Sequence, residues 1–285
     1  MAYTTLIEAE SLLQHRDEAD WRVFDCRCSP SDPTVGRKQY VEGHIPGARH
    51  ADLDQVLASL PNPMTGRHPL PDRAELATWL GREGVSTTTQ MVAYDDSGGA
   101  FAARLWWLAR WLGHADVAVL DGGLAAWREA GGTLERGEAQ APAPADFQIR
   151  EPLTTMLTAD DVLAIVQESA EGTLIDARAA PRYRGQSEPI DSVAGHIPGA
   201  RSRPFADNLD ARGRFLDPAA LRERFAAVAD DPRAAVHYCG SGVTACHNVL
   251  AMEHAGLAGS RLYAGSWSEW IRDPSRPVSR DDEGG

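Results

Sequence analysis

The chain has 285 residues, 43% hydrophobic and 24% charged, a globular balance long enough for two domains. A formal net charge of −13 argues against a nucleic-acid binder, which needs clustered Lys and Arg against phosphate. No apolar run approaches the roughly 20 residues that span a bilayer. The acidic start (Glu8, Glu10, Asp17, Glu18, Asp20) is unlike a secretory leader or a presequence, so a cytoplasmic location is expected.

In chain order, Thr5 to Asp17 reads as a helix, with Leu6, Ala9, Leu12 and Leu13 near the helical period. Trp21 to Asp25 reads as a short buried strand ending in an acid. Further strands are expected at 91–94 and 117–120, with helices at 73–81 and 99–111. Gly131-Gly132 closes the last helix of this half. The Pro/Ala-rich stretch 138–145 then reads as an extended, semi-rigid linker. Beyond it, strands are expected at 173–176, 234–238 and 261–263, and helices at 158–169, 218–228 and 243–255. Alternation of strand and helix implies α/β units: mainly parallel sheets with helices on both faces.

The order of elements repeats. Gly43-His44-Ile45-Pro46-Gly47-Ala48-Arg49 returns unchanged as Gly195-His196-Ile197-Pro198-Gly199-Ala200-Arg201, 152 residues later. Val23-Phe24-Asp25-Cys26-Arg27 matches Leu174-Ile175-Asp176-Ala177-Arg178. Met91 to Asp95 matches Ala235 to Cys239, and Asp121 to Trp127 matches Ala264 to Trp270. The chain therefore reads as a duplicated domain, residues 1–145 and 146–285.

The candidate site is the stretch Val236 to Ala245: a strand, a cysteine at its end, a glycine-containing loop, and the start of a helix. Backbone N–H groups of such a loop, with the helix N-terminus behind them, stabilise an anion and favour a thiolate. Cys239 is thus the candidate nucleophile; taken alone it would equally suit a core cysteine. Cys246 falls at helical spacing with Val249 and Leu250 and reads as core, with a resolving role as the sharper alternative. Cys26 and Cys28 form a lone C-x-C pair and read as structural or surface residues, so no metal is expected. His44 and His196 occur in both halves, including the half without the site cysteine, which favours a fold role. The same holds for Asp25 and Asp176. Trp106, Trp107 and Trp111 at helical spacing read as core.

These motifs resemble the rhodanese family of sulfurtransferases in its two-domain form, over nearly the whole chain. The loop Cys239-Gly240-Ser241-Gly242-Val243-Thr244-Ala245 is similar to that of the 3-mercaptopyruvate sulfurtransferases; thiosulfate-using relatives carry basic residues directly after the cysteine. The resemblance implies a persulfide on Cys239 held by residues 240–245, with no organic cofactor. It implies a small-molecule sulfur donor and a thiol or cyanide acceptor, with no nucleic-acid or membrane partner. It also implies an inactive first domain, where Asp95 stands for the cysteine, and a pocket between the two domains. Residue by residue, it assigns Arg182 to the donor's anionic end. It places Asp54 and His68 in the pocket, where a Ser241–His68–Asp54 relay would polarise a carbonyl or carry protons. The mercaptopyruvate enzymes carry a second arginine in the interval that here runs from Gln186 to Ala194, which has none; Arg184 is the candidate replacement. Thiosulfate remains the alternative donor, and a non-enzymatic persulfide relay the alternative in another class. A phosphatase of the same fold needs an arginine where Ala245 stands, so that reading fails.

Overall fold

The computed structural model describes residues 2–29 and 31–280. Two compact units emerge, one of Met1–Ser59, Leu70–Leu153 and Ala211–Phe215, the other of Leu60–Pro69, Thr154–Asp210 and Leu216–Gly285. In the first, the order is β1 (Leu6–Ile7), α1 (Ala9–His15), β2 (Trp21–Asp25), α2 (Thr34–Glu42), β3 (Arg49–His50), α3 (Arg73–Arg82), β4 (Gln90–Tyr94), α4 (Ala102–Trp111), β5 (Val117–Leu120) and α5 (Gly123–Glu129). The second runs β6 (Thr155–Leu157), α6 (Ala159–Val166), β7 (Thr173–Asp176), α7 (Ala180–Tyr183), β8 (Arg201–Ser202), α8 (Pro218–Ala226), β9 (Ala235–Tyr238), α9 (Ala245–His254), β10 (Arg261–Tyr263) and α10 (Ser266–Trp270).

Each unit carries a five-stranded sheet, ordered β1-β5-β4-β2-β3 in the first and β6-β10-β9-β7-β8 in the second. Every pairing is parallel. The two orders are the same under the sequence repeat. The central strands β4 and β9 are buried along their whole length, as parallel strands covered on both faces must be. Around β4, Ile7, Leu12, Val23, Val92, Leu120 and Trp127 form one core. Leu174, Ile197, Val236, Tyr263, Trp267 and Trp270 form its counterpart around β9. Trp106 and Trp107 are fully buried on α4, as their spacing suggested.

The Asp-x-Arg pairs repeat as a physical device. Arg178 donates to Asp176 and to the Gly195 carbonyl at 2.7 Å, and Arg27 does the same with Asp25 and the Gly43 carbonyl at 2.8 Å. The strand end is thereby tied to the Gly-His-Ile-Pro turn. Breaking one partner of such a buried pair typically costs about 3–5 kcal/mol. His44 and His196 donate through Nδ1 to the carbonyls of Tyr40 and Tyr183 and stack on those same tyrosines. Both histidines thus brace the turn.

Two expectations shift. Leu6 and Ile7 do not begin the first helix; they pair with Val119 and Leu120 as an edge strand, and the helix starts at Ala9. The boundary near 145 also moves. Ala145 donates to the Gly81 carbonyl, Arg150 to that of Leu112 and Leu153 to that of Arg110, so the Pro/Ala stretch is pinned to the first unit as far as Leu153. Leu60–Pro69 counts with the second unit despite lying in the N-terminal half. Ala211–Phe215 counts with the first, where the Phe215 N–H reaches Asp121 at 2.8 Å.

Candidate active site

Strand β9 ends at Tyr238 in the middle of its sheet, and Cys239 is the next residue, 2% exposed. In open parallel sheets, ligands bind beyond this end of the strands. The loop then turns through Gly242 at φ +80°, and α9 starts at Ala245. A Cβ on Gly242 would lie 2.1 Å from the Ala264 carbonyl oxygen, so only glycine fits. The turn aims the Gly242 N–H at Cys239 Sγ, 3.1 Å away. At the second residue of α9, the Cys246 thiol donates to the Gly242 carbonyl at 3.2 Å, fixing the same residue from its other side.

The start of α10 clamps the loop. Ser266 Oγ accepts from the Cys239 N–H at 3.1 Å, Trp267 donates to the Cys239 carbonyl at 3.0 Å, and Ser268 to that of Gly240 at 2.9 Å. Ser266 holds a left-handed φ of +56°, a conformation non-glycine residues adopt at a cost of roughly 1–3 kcal/mol.

The segment Leu60–Pro69 completes the surroundings. Arg67 donates its backbone N–H to Ser268 Oγ at 3.0 Å. Next to it, His68 Nδ1 lies 2.7 Å from Ser241 Oγ. The Arg67 side chain reaches Gly240: a Cβ there would stand 2.9 Å from Arg67 Nη2 and 3.4 Å from Arg182 Nη1. Two guanidinium groups therefore flank the residue that follows the thiol, in a chain of net charge −13.

Acids hold these cations in place. Asp191 binds Arg67 Nη1 through Oδ1 and Arg182 Nη2 through Oδ2, the latter at 3.1 Å. Glu188 accepts from Arg182 at 2.7 Å and from Arg178 at 3.3 Å. Burial pushes the Asp191 carboxyl up, more than the neighbouring Arg67 pulls it down. Burial also works against the Glu188 carboxylate, but the Arg182 hydrogen bond and two backbone N–H groups outweigh it and hold the group below the usual range.

The structure thus brings together Cys239, its loop, Arg182 and His68. Arg184 is not part of this group: it is exposed, at the end of α7, and its backbone N–H caps that helix. Asp54 lies in the first unit, where its backbone N–H turns onto Asp52 Oδ1 and burial together with Asp52 raises its carboxyl. Arg67, Asp191, Ser266 and Ser268 were not anticipated. The one available signal was that Arg67 adjoins His68.

The corresponding loop of the first unit is filled differently. Asp95 follows β4, fully buried, and takes four backbone N–H bonds: Ser97 and Gly99 on Oδ1, Phe101 and Ala102 on Oδ2, at 2.8–2.9 Å. Burial still raises this carboxyl above an ordinary aspartate, against the pull of those bonds. Among the described residues, no group of three or more His, Cys, Asp or Glu stands in a position to hold a metal, and no helix is long and apolar enough to cross a membrane.

The model of the rhodanese-like domain matches twice, at residues 8–130 and 158–273. A Pseudomonas aeruginosa protein named "Probable 3-mercaptopyruvate sulfurtransferase" is 50% identical over 99% of this chain and all of its own length. A thiosulfate sulfurtransferase from Mus musculus is 35% identical over 97% of this chain and 94% of its own. Among solved structures, the 3-mercaptopyruvate sulfurtransferase from Leishmania major superposes with a TM-score of 0.84 at 33% identity, over 95% of this chain and 76% of that one.

Proposed function

The chain belongs to the rhodanese family of sulfurtransferases, with two rhodanese-like domains in tandem, and we propose that it moves sulfur from 3-mercaptopyruvate to a thiol or cyanide acceptor through a persulfide on Cys239. The Cys239 thiolate attacks the donor's sulfur. An S–S bond forms as the carbon–sulfur bond breaks, and the electron pair of that bond leaves on the enolate of pyruvate, which takes up a proton. The acceptor then attacks the outer sulfur, and the S–S electrons return to Cys239. Two steps replace one difficult transfer, with ping-pong kinetics.

One observation carries this reading: the loop fold places N–H donors around a single point. In the first unit four such donors converge on the Asp95 carboxylate. In the second, the Gly242 N–H is on Cys239 Sγ, and Ser241, Val243 and Ala245 align in sequence with Ser97, Gly99 and Phe101. A persulfide is the anion such a cradle suits. The first domain is inactive because a carboxylate cannot carry sulfur. His68 and Ser241, 2.7 Å apart, handle the donor's carbonyl or its proton. The cysteine is itself the sulfur carrier, so the reading needs no cofactor. Four free cysteines are in keeping with a reducing, cytoplasmic setting.

Thiosulfate is the second reading, favoured by the mouse relative. The test is kcat/KM for both donors with cyanide as acceptor. A preference for thiosulfate above about tenfold overturns the choice of donor. A single equivalent of product in place of turnover would leave only a persulfide relay.

A further inference from the structure

We propose that Arg67 supplies the second cation of the donor site and that Asp191, bridging it to Arg182, sets that site's charge in favour of a monoanion. The inference rests on the sulfurtransferase reading and names residues of that same site.

The argument begins with which nitrogens are occupied. Asp191 holds Arg67 by Nη1; Glu188 and Asp191 hold Arg182 by Nε and Nη2. Among the described residues, neither acid engages Arg67 Nη2 or Arg182 Nη1, and these are the atoms nearest a Cβ on Gly240. Two guanidinium edges, each anchored from behind, turn their remaining N–H donors toward the loop of the nucleophile. A planar carboxylate is the ligand that such paired donors match.

Placement of Arg67 is built in at the backbone. Its N–H is on Ser268 Oγ, and Ser268 donates in turn to the Gly240 carbonyl. A Cβ on Gly66 would lie 2.5 Å from the Gly265 carbonyl oxygen, so the segment runs hard against the start of α10. Arg67 is thus registered to the loop through two hydrogen bonds.

The charge balance concerns four groups. Arg178, which also reaches Glu188, is balanced by Asp176. That leaves Arg67 and Arg182 against Glu188 and Asp191, a local sum of zero. A ligand with one negative charge, such as the carboxylate of 3-mercaptopyruvate, gains two directed donors at modest repulsion from Asp191. Thiosulfate, a dianion, meets the same acid with twice the charge. Glycine at 240 leaves room for the guanidinium edges; any side chain there would displace Arg67 first.

The test compares Arg67→Gln, Arg67→Lys and Asp191→Asn with the parent protein in kcat/KM for 3-mercaptopyruvate and for thiosulfate, with thermal melting to confirm folding. Arg67→Gln is expected to raise KM for 3-mercaptopyruvate about tenfold, as the loss of a charge-assisted bond does, with kcat changed far less. Arg67→Lys keeps the charge without the fork and should recover part of that loss. Asp191→Asn should shift the ratio of the two kcat/KM values toward thiosulfate, by about fivefold. An Arg67→Gln variant that folds and keeps its KM for both donors overturns the proposal, as does an unchanged donor ratio in a folded Asp191→Asn. A parent protein that turns over neither donor would instead overturn the sulfurtransferase reading itself.

Discussion

The loops after β4 and β9 share one backbone design with different contents. Both follow the central strand of a parallel sheet, and both turn through glycines of positive φ, Gly98 and Gly242. The strand-end carbonyl is clamped alike: Leu124 donates to Asp95 and Trp267 to Cys239, each at 3.0 Å. In the first loop a carboxylate gathers the N–H donors and the cradle is full. In the second, the Gly242 N–H is on the Cys239 thiol. The duplicated domain therefore contains its own control. One copy shows what the loop binds when the anion is built into the chain; in the proposed reading the other receives its anion as a persulfide on Cys239.

The sharpest way to break this comparison is to remove the sulfur. Cys239→Ser should lower transfer by roughly a thousandfold or more, because the nucleophile is lost while the cradle stays. Cys246→Ser should stay within about threefold of the parent, since a hydroxyl can also donate to the Gly242 carbonyl. Steady-state turnover and mass detection of the persulfide check both. Equal losses would mean that the working thiol is misassigned.

Next in size is the turn. Gly242→Ala must move the backbone, because its Cβ has no room beside the Ala264 carbonyl. The N–H on Cys239 Sγ moves with it. Loss of one such preorganised donor costs about 100-fold or more in kcat. A Gly242→Ala protein with parental kcat would show that this N–H is not part of the cradle.

Much of this was legible in the chain itself, and the rest was hidden for definable reasons. Central strands such as Met91 to Tyr94 and Val236 to Tyr238 read clearly because both faces are buried and every position is apolar or aromatic, or a buried histidine. The edge strands did not, since two or three residues carry no period; Leu6-Ile7 ran into the apolar spacing of α1. The Pro/Ala linker was recognisable by composition, but its owner was decided by hydrogen bonds to Gly81, Leu112 and Arg110, which no local pattern reveals. Cys239 stood out through the repeat. Arg67 did not, because it reaches Gly240 from a segment remote in sequence. Arg184 looked suitable by proximity to Arg182, yet the short helix α7 ends there and leaves it exposed.

Emptying the first cradle is the third test. Asp95→Ala would leave four buried N–H groups without their acceptor. Even with partial relaxation, this should cost about 3 kcal/mol of stability, read from denaturant unfolding. The surviving folded fraction should transfer sulfur at the parental rate per molecule, since Asp95 has no part in the chemistry. A stable Asp95→Ala protein would undercut the view that this loop is organised around an anion.

The smallest effect concerns the strand that leads into each loop. At equivalent positions β4 carries Ala93 and β9 carries His237, both fully buried. His237 sits with Nε2 3.1 Å from Met252 Sδ, and burial, helped by Arg203, depresses its pKa from 6.5 to about 3. The unfolded chain therefore binds a proton that the folded strand refuses. The stability contribution is fully present above pH 6.5 and is lost as the pH falls toward 3, at up to about 1.4 kcal/mol per pH unit. His237→Leu should remove this one term, so its unfolding midpoint should decline less steeply than the parent's between about pH 6.5 and 4, a shallower slope by up to one proton. Because Ala93 offers no such group, the reciprocal change in the first copy has nothing to remove. Parallel pH curves for the parent and His237→Leu would show that β9 tolerates a charge at this position and would remove this difference between the two strands.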